Sequence, residues 1–178
     1  GFRGLLLDRN LCRNADDAED RPDLYLRDAS GGDRWESQHV LATWLESEIR
    51  DHFTAQGGEI GSLLSIGETD SSFPGGLAKD QTQSPIAWAS TESIKNSSLI
   101  TLSKTVDVSE WPECEGETLV VDFANPENDV DQLRKLGYRV IGREQMRIGI
   151  LSISFQRWTG RPPIVDDLTE AIEEYLAV

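Results

Sequence analysis

MRIGILSISFQRW, residues 146–158, is the stretch on which the fold turns. Its apolar residues alternate with others up to Ile150 and again from Leu151, and the change of phase between them reads as a strand carrying a bulge. The same letters allow a helix, because Ile148, Leu151, Phe155 and Trp158 would share one stripe. β-branching, the mid-run Gly149 and the serines favour the strand. TGRPP (159–163) then leads into a closing helix over about 166–177, with Asp166 or Asp167 as N-cap and Leu168, Ile172, Tyr175 and Leu176 on one face.

Working outward, an early helix is expected at about 33–56. Asp33 can cap it, Glu36 follows three residues on, Leu41, Trp44, Leu45, Ile49 and Phe53 form its apolar face, and Gly57 with Gly58 stops it. Short apolar runs at 5–7, 86–89, 98–106, 118–124 and 138–141 read as strands, while 60–66 fits either a strand or irregular chain. Asn125 with Pro126 reads as the start of a further helix bearing Val130, Leu133 and Leu136 and ending at Gly137. Residues 9–23 form an acidic, mobile loop and 67–85 a long loop without apolar period. The order of elements implies a single domain over 1–178 of the α+β class, its mostly antiparallel sheet packed by the early and closing helices.

Charge is the most unusual bulk property, with 32 acidic against 17 basic residues and a net charge of −15. Such a field repels phosphate backbones and argues against sequence-specific nucleic acid binding. Lysines stand only at Lys79, Lys95, Lys104 and Lys135. Many acids with few lysines suit a chain kept hydrated in concentrated salt, where screening shortens to about 3 Å at 1 M, so a halophilic source is expected. No apolar run approaches eighteen residues and no leader pattern occurs, so neither a membrane span nor a signal peptide is expected. Cys12 and Cys114 are far apart and read as unrelated thiols.

No set of residues spells out a reaction. His39 and His52 lie too far apart on one helix to hold a metal together, and the Asp129/Asp131 pair is explained by a helix first turn. The glycine pairs at 31–32, 57–58 and 75–76 match neither phosphate-binding fingerprint, and no nucleophile motif occurs. Asp122, Glu144 and a distant lysine could assemble a nuclease only without the usual spacing. No metal, cofactor or catalytic residue is therefore assigned. Tryptophan and arginine are common anchors of interfaces, and Trp88, Trp111, Arg157, Trp158 and Arg161 are the candidates for one.

Two resemblances follow from these pieces. The helix at 33–56, SPIAW at 84–88, the run at 146–158 and the helix at 167–176 together resemble tail-completion and tail-terminator (neck) proteins of tailed viruses. That resemblance implies a non-enzymatic, ring-forming homo-oligomer without cofactors. Its partners would be neighbouring virion proteins, and it would be assembled in the host cytoplasm and located in the virion. Residues 118–178 are also similar to the small C-terminal domain of fold-type I pyridoxal-phosphate aminotransferases, which implies that Arg147 would hold a substrate carboxylate. The large domain and a suitably placed lysine are missing.

Overall fold

LITL (Leu99–Leu102) and LVVD (Leu119–Asp122) do not alternate, and every residue in both is buried. A strand of that kind needs cover on both faces, which is the environment of a parallel sheet. In the computed structural model they are the central strands β3 and β4 of a five-stranded, all-parallel sheet. The other strands are β1 (Ser62–Ile66), β2 (Asp80–Ser84) and β5 (Arg139–Ile141), and the order across the sheet is β2-β1-β3-β4-β5. Leu64 pairs with Thr82 on one side and Ile100 on the other, Ile100 with Val120, and Val120 with Val140. The expected antiparallel α+β sheet is thereby corrected to an α/β one. Residues 37–176 are described apart from 56, 58, 69, 71, 72 and 85–88, with backbone alone for 37–39, 157–158 and 172–176. The strand read at 5–7, the loop at 9–23, Cys12 and Trp88 lie outside them.

Helices α1 (Ser37–Ala55), α2 (Thr91–Lys95), α3 (Val130–Lys135), α4 (Arg143–Thr159) and α5 (Val165–Leu176) complete the fold. Contacts divide the chain into two units, Leu45–Met146 and the flanking segments Gly1–Trp44 with Arg147–Val178. The first unit contains the whole sheet. On one of its faces Leu64, Ile66, Ile100, Leu102 and Val120 pack with Ile94 of α2, Leu133 of α3, Val108, Trp111 and Tyr138. The intervening positions Leu63, Leu99, Leu119 and Val121 are buried on the opposite face, and Leu45, Ile49 and Phe53 form the buried stripe of α1.

The stretch at 146–158 is helix, not strand. Adjacent Ile150 and Leu151 break a period of two and fit a period of 3.6 without any bulge. Gln145 supplies the start signal: its Oε1 accepts from Gly142 N at 3.0 Å, the N3-to-N-cap half of a capping box. Gly149, which in the sequence favours a strand, is present because the Trp44 indole lies on it. A Cβ there would stand 2.1 Å from Trp44 Cδ2. Gly149→Ala gains about 1 kcal/mol of helix propensity but, at so close an approach, costs the upper part of the overpacking range, roughly 2–3 kcal/mol, so a net loss of about 1–2 kcal/mol is expected in urea denaturation. A neutral or stabilising outcome would mean that the indole moves aside freely.

The Asn125–Pro126 peptide is cis, and helix α3 begins later than that pair suggests. Asp129 is its N-cap, accepting from Gln132 N at 2.8 Å, which accounts for one member of the Asp129/Asp131 pair. At the other end Gly137 N donates to Arg134 O and Tyr138 N to Leu133 O, a Schellman stop with Gly137 at φ +93°.

Candidate functional site

In open parallel sheets the strands all end on one edge, and ligands sit outside those carboxyl ends, where the strand order reverses. Here β1 sends its connections to β2 on one side and, by way of β2, to β3 on the other. From the carboxyl edge run the connections after β1, β3, β4 and β5, at 67–79, 103–118, 123–138 and 142, beside the partly described one after β2.

The loop after β4 is held by a buried carboxylate. Asp122 accepts from Ala124 N (2.9 Å) on Oδ1 and from Asn128 N (2.8 Å) on Oδ2, while Asn128 Nδ2 reaches both oxygens at 3.0 Å. Burial pushes this carboxyl above its ordinary range, against the pull of the Ala124 and Asn128 donors, and neighbouring Glu127 pushes the same way. Asn128 also links the loop after β3, donating to Lys104 O at 3.3 Å and accepting from Val106 N at 2.7 Å. Thr105 Oγ1 adds a bond to Pro126 O at 3.0 Å. From the far side, Arg143 Nη1 donates to Asn125 Oδ1 at 3.0 Å and Arg143 N to Glu127 Oε1 at 2.9 Å. The ends of β3 and β5 thus meet one fixed turn, through the Lys104 backbone carbonyl on one side and the Arg143 guanidinium on the other. Beside Lys104, the Ser103 hydroxyl is buried without a hydrogen-bond partner among the described residues.

Over β1 the edge is closed differently. Gly67 has φ +93°, donates N–H to Ser84 O at 2.8 Å, and lies against Lys104, whose Cγ would stand 3.2 Å from a Cβ at this position. Phe73, buried in the following crossover, meets Phe123 edge-on with ring centroids 6.4 Å apart.

A second feature lies along β5. A groove of about 560 Å³ is lined by Glu48, Asp51, His52 and Ala55 of α1 and by Arg134, Tyr138 and Arg139 among others. His52 is buried, edge-on to Phe53, with Nδ1 3.4 Å from Arg139 Nη1. Burial first and the Arg139 charge second hold its pKa below the usual value, while a bond with the Glu117 backbone opposes them. The unfolded chain takes up the proton first, so the His52 contribution to stability is complete above about pH 6.5 and is lost as pH falls below it. In His52→Gln the stability lost on acidifying from pH 7.5 to 5 should shrink by the share of one titrating group. An imidazole that titrates above 6.5 by NMR would contradict this.

The residues singled out in the sequence are dispersed. Trp111 is buried, edge-on to Tyr138 at 5.6 Å, and belongs to the core cluster. Arg157 and Trp158 fall on the last turns of α4 with their side chains outside the description, and Arg161 is exposed just beyond. His39 lies in α1, its side chain likewise outside the description. Glu144 is in the first turn of α4 and not in a strand beside Asp122, and Arg147 is in the same helix, so neither the nuclease set nor the strand required by the aminotransferase likeness exists. Cys114 carries a free thiol. No cluster of three metal-ligating side chains occurs among the described residues, and none of their helices is long and apolar enough to cross a membrane. Sequence reasoning misses Lys104, Asn128 and Arg143, which only a parallel arrangement brings to one edge.

No protein-family model matches the chain, and no curated protein matches it. Among solved structures it is similar to quinate dehydrogenase from Corynebacterium glutamicum in complex with NAD, with a TM-score of 0.55 and 14% identity over 88% of this chain and 68% of that one. Shikimate 5-dehydrogenase from Thermus thermophilus also matches. Its complex with shikimate gives a TM-score of 0.45 and 16% identity, over 79% of this chain and 62% of that one. Its complex with NADP(H) and shikimate gives 0.47 and 13%, over 76% and 62%. The parallel α/β fold shared with the quinate dehydrogenase chain is not the mostly antiparallel fold that the neck resemblance implied, so that resemblance and the ring-forming, non-enzymatic virion role drawn from it are withdrawn, and the aminotransferase reading gains nothing. At this identity the likeness shows the fold alone: a parallel, Rossmann-like α/β sheet.

Proposed function

We propose that Leu45–Met146 is the ligand-holding unit of an oxidoreductase-like enzyme, and that it takes a small carboxylate or phosphate over the carboxyl ends of β3, β4 and β5. The observation that carries this reading is that the loop after β4, fixed by Asp122 and Asn128, is tied on one side to the Lys104 backbone carbonyl and on the other to the Arg143 guanidinium, so both residues flank it. Two cations held by loops on a rigid sheet provide charge-assisted bonds to an anion at little ordering cost. The fold likeness to a dehydrogenase supports the enzyme class, and the name of that chain suggests quinate as a carboxylate probe.

Titration of the protein with quinate and with inorganic phosphate, followed by amide NMR shifts, tests the reading. Saturable shifts at Lys104, Asn125 and Arg143 are expected with at least one of the two. Lys104→Ala and Arg143→Ala should each weaken binding about tenfold, the equivalent of roughly 1.5 kcal/mol for one charge-assisted bond. Shifts confined to other parts of the chain, or none at all, would refute it.

A further inference from the structure

We infer that the junction of α4 and α5 is where a second copy of this chain docks about a two-fold axis, apolar centre to apolar centre and basic end to acidic end. The surface belongs to the unit formed by the flanking segments, and the inference does not depend on the anion site, which belongs to the other unit.

Large apolar side chains left in water one at a time are ordinary, but a run of them marks a surface that meets a partner. Among the described residues the exposed ones are Phe155, Ile164 and Val165, at 40%, 66% and 53%, and all fall within the last turns of α4, the turn after it and the first turn of α5. Helix α5 is strongly amphipathic, with Val165, Leu168 and Ile172 at the spacing of one stripe, yet that stripe begins in water: Val165 is exposed and Leu168 only half-buried. The junction is held in one shape before any partner arrives. Thr159 Oγ1 donates to Phe155 O at 2.8 Å and accepts from Arg161 N at 3.1 Å, and Pro162 and Pro163 fix the next two φ angles. Little chain freedom is therefore lost on association.

The charges choose the occupant. Exposed Arg161 stands before the apolar centre and exposed Asp166 and Asp167 directly after it, and none of the three makes an ion pair among the described residues. In a two-fold interface a residue i that meets j is matched by j meeting i. An axis passing between Ile164 and Val165 brings Arg161 of each copy towards the aspartates of the other, so one surface satisfies itself. An acidic foreign partner would set like charge against the aspartates, and a basic one against the arginine. The net charge of −15 on each copy opposes association at long range. That repulsion is screened over about 10 Å at 0.1 M salt and about 3 Å at 1 M, whereas apolar contact is not weakened by salt. Dimerisation should therefore tighten as salt rises.

Sedimentation equilibrium of the whole chain, from micromolar to submillimolar concentration at about 0.1 M and about 1 M salt, is the test. A reversible dimer is expected, with a dissociation constant roughly tenfold lower at the higher salt. Val165→Asp places aspartate at an exposed position in a helix first turn, where it is well accommodated, so the amide spectrum of the fold should persist while the dissociation constant rises roughly tenfold or more. Arg161→Glu should weaken the dimer too, as should Asp166→Arg combined with Asp167→Arg, since each sets like charges opposite one another. Mixing those two variants in equal amounts should restore dimers, because each supplies the charge that the other lacks. A chain that stays monomeric at both salts, a dimer indifferent to Val165→Asp and Arg161→Glu, or a mixture that does not pair would overturn the inference. None of these results bears on the anion proposal, which is read at Asn125 and Arg143.

Discussion

Gly137→Ala is expected to destabilise the protein by about 3–5 kcal/mol, the largest loss expected from adding a single methyl group at any described glycine. Two effects add. The residue has φ +93°, a conformation that costs a non-glycine residue roughly 1–2 kcal/mol. The new Cβ would also stand 1.7 Å from the Cys114 carbonyl oxygen and 2.8 Å from its carbon. Those are backbone atoms and cannot swing away, so the 112–116 segment must shift. Its shift would break the 2.7 Å bond from Cys114 N to Leu136 O, worth about 1 kcal/mol, and disturb the Schellman stop of α3. At about 2–4 °C per kcal/mol for a chain of this size, the midpoint should fall by about 10 °C. Gly76→Ala is the control: its φ is +74° and a Cβ there would meet nothing within 4 Å, so it should show strain alone, about 1 kcal/mol. Equal losses for the two variants would remove the steric argument.

Asp122→Ala should cost nearly as much, about 3–5 kcal/mol, for a different reason. The side chain contributes no apolar area worth keeping, but its removal strands the N–H groups of Ala124 and Asn128 and the Asn128 amide in a buried site. Each unsatisfied donor costs roughly 1–3 kcal/mol. Asp122→Asn keeps the shape and turns an acceptor into a donor facing donors, so it rescues only part of the loss. The readout that separates this from a generic core defect is local. The amides of Val106, Ala124 and Asn128 should lose exchange protection together, because Asn128 bonds both loops, while Leu64 and Ile100 keep theirs. Uniform loss of protection across the sheet would show that Asp122 is only a structural filler.

The helices are legible from periodicity and less so from caps, since α5 begins at Val165 and places Asp166 and Asp167 in its first turn, not at its N-cap. α1 is readable from Leu45, Ile49 and Phe53, and α5 from Leu168, Ile172 and Leu176. The sheet is not, because the decisive property of LITL and LVVD is an absence of alternation, and an unalternating run of four is too short to declare itself. Taken as covered on both faces, those two runs point to parallel strands. β2 cannot be read at all: DQTQS has no apolar residue, and it is a strand only because β1 offers it an edge. α4 is obscured by Gly149, whose low helix propensity is outweighed by the Trp44 contact, a long-range fact. The site is the least legible part. Asp122 stands out by its position after an apolar run, but Lys104, Asn128 and Arg143 have no shared spacing and meet only through the order of parallel strands.

Everything about the site depends on that order, so the most direct measurement is the set of interstrand backbone NOEs in the folded protein. In-phase parallel contacts are expected, with Leu64 near Ile100, Ile100 near Val120 and Val120 near Val140, each step of two residues along one strand matched by a step of two in the same direction along the next. Contacts that run in opposite directions between β3 and β4 would contradict it, and would dismantle the shared carboxyl edge on which Lys104, Asn125 and Arg143 are brought together.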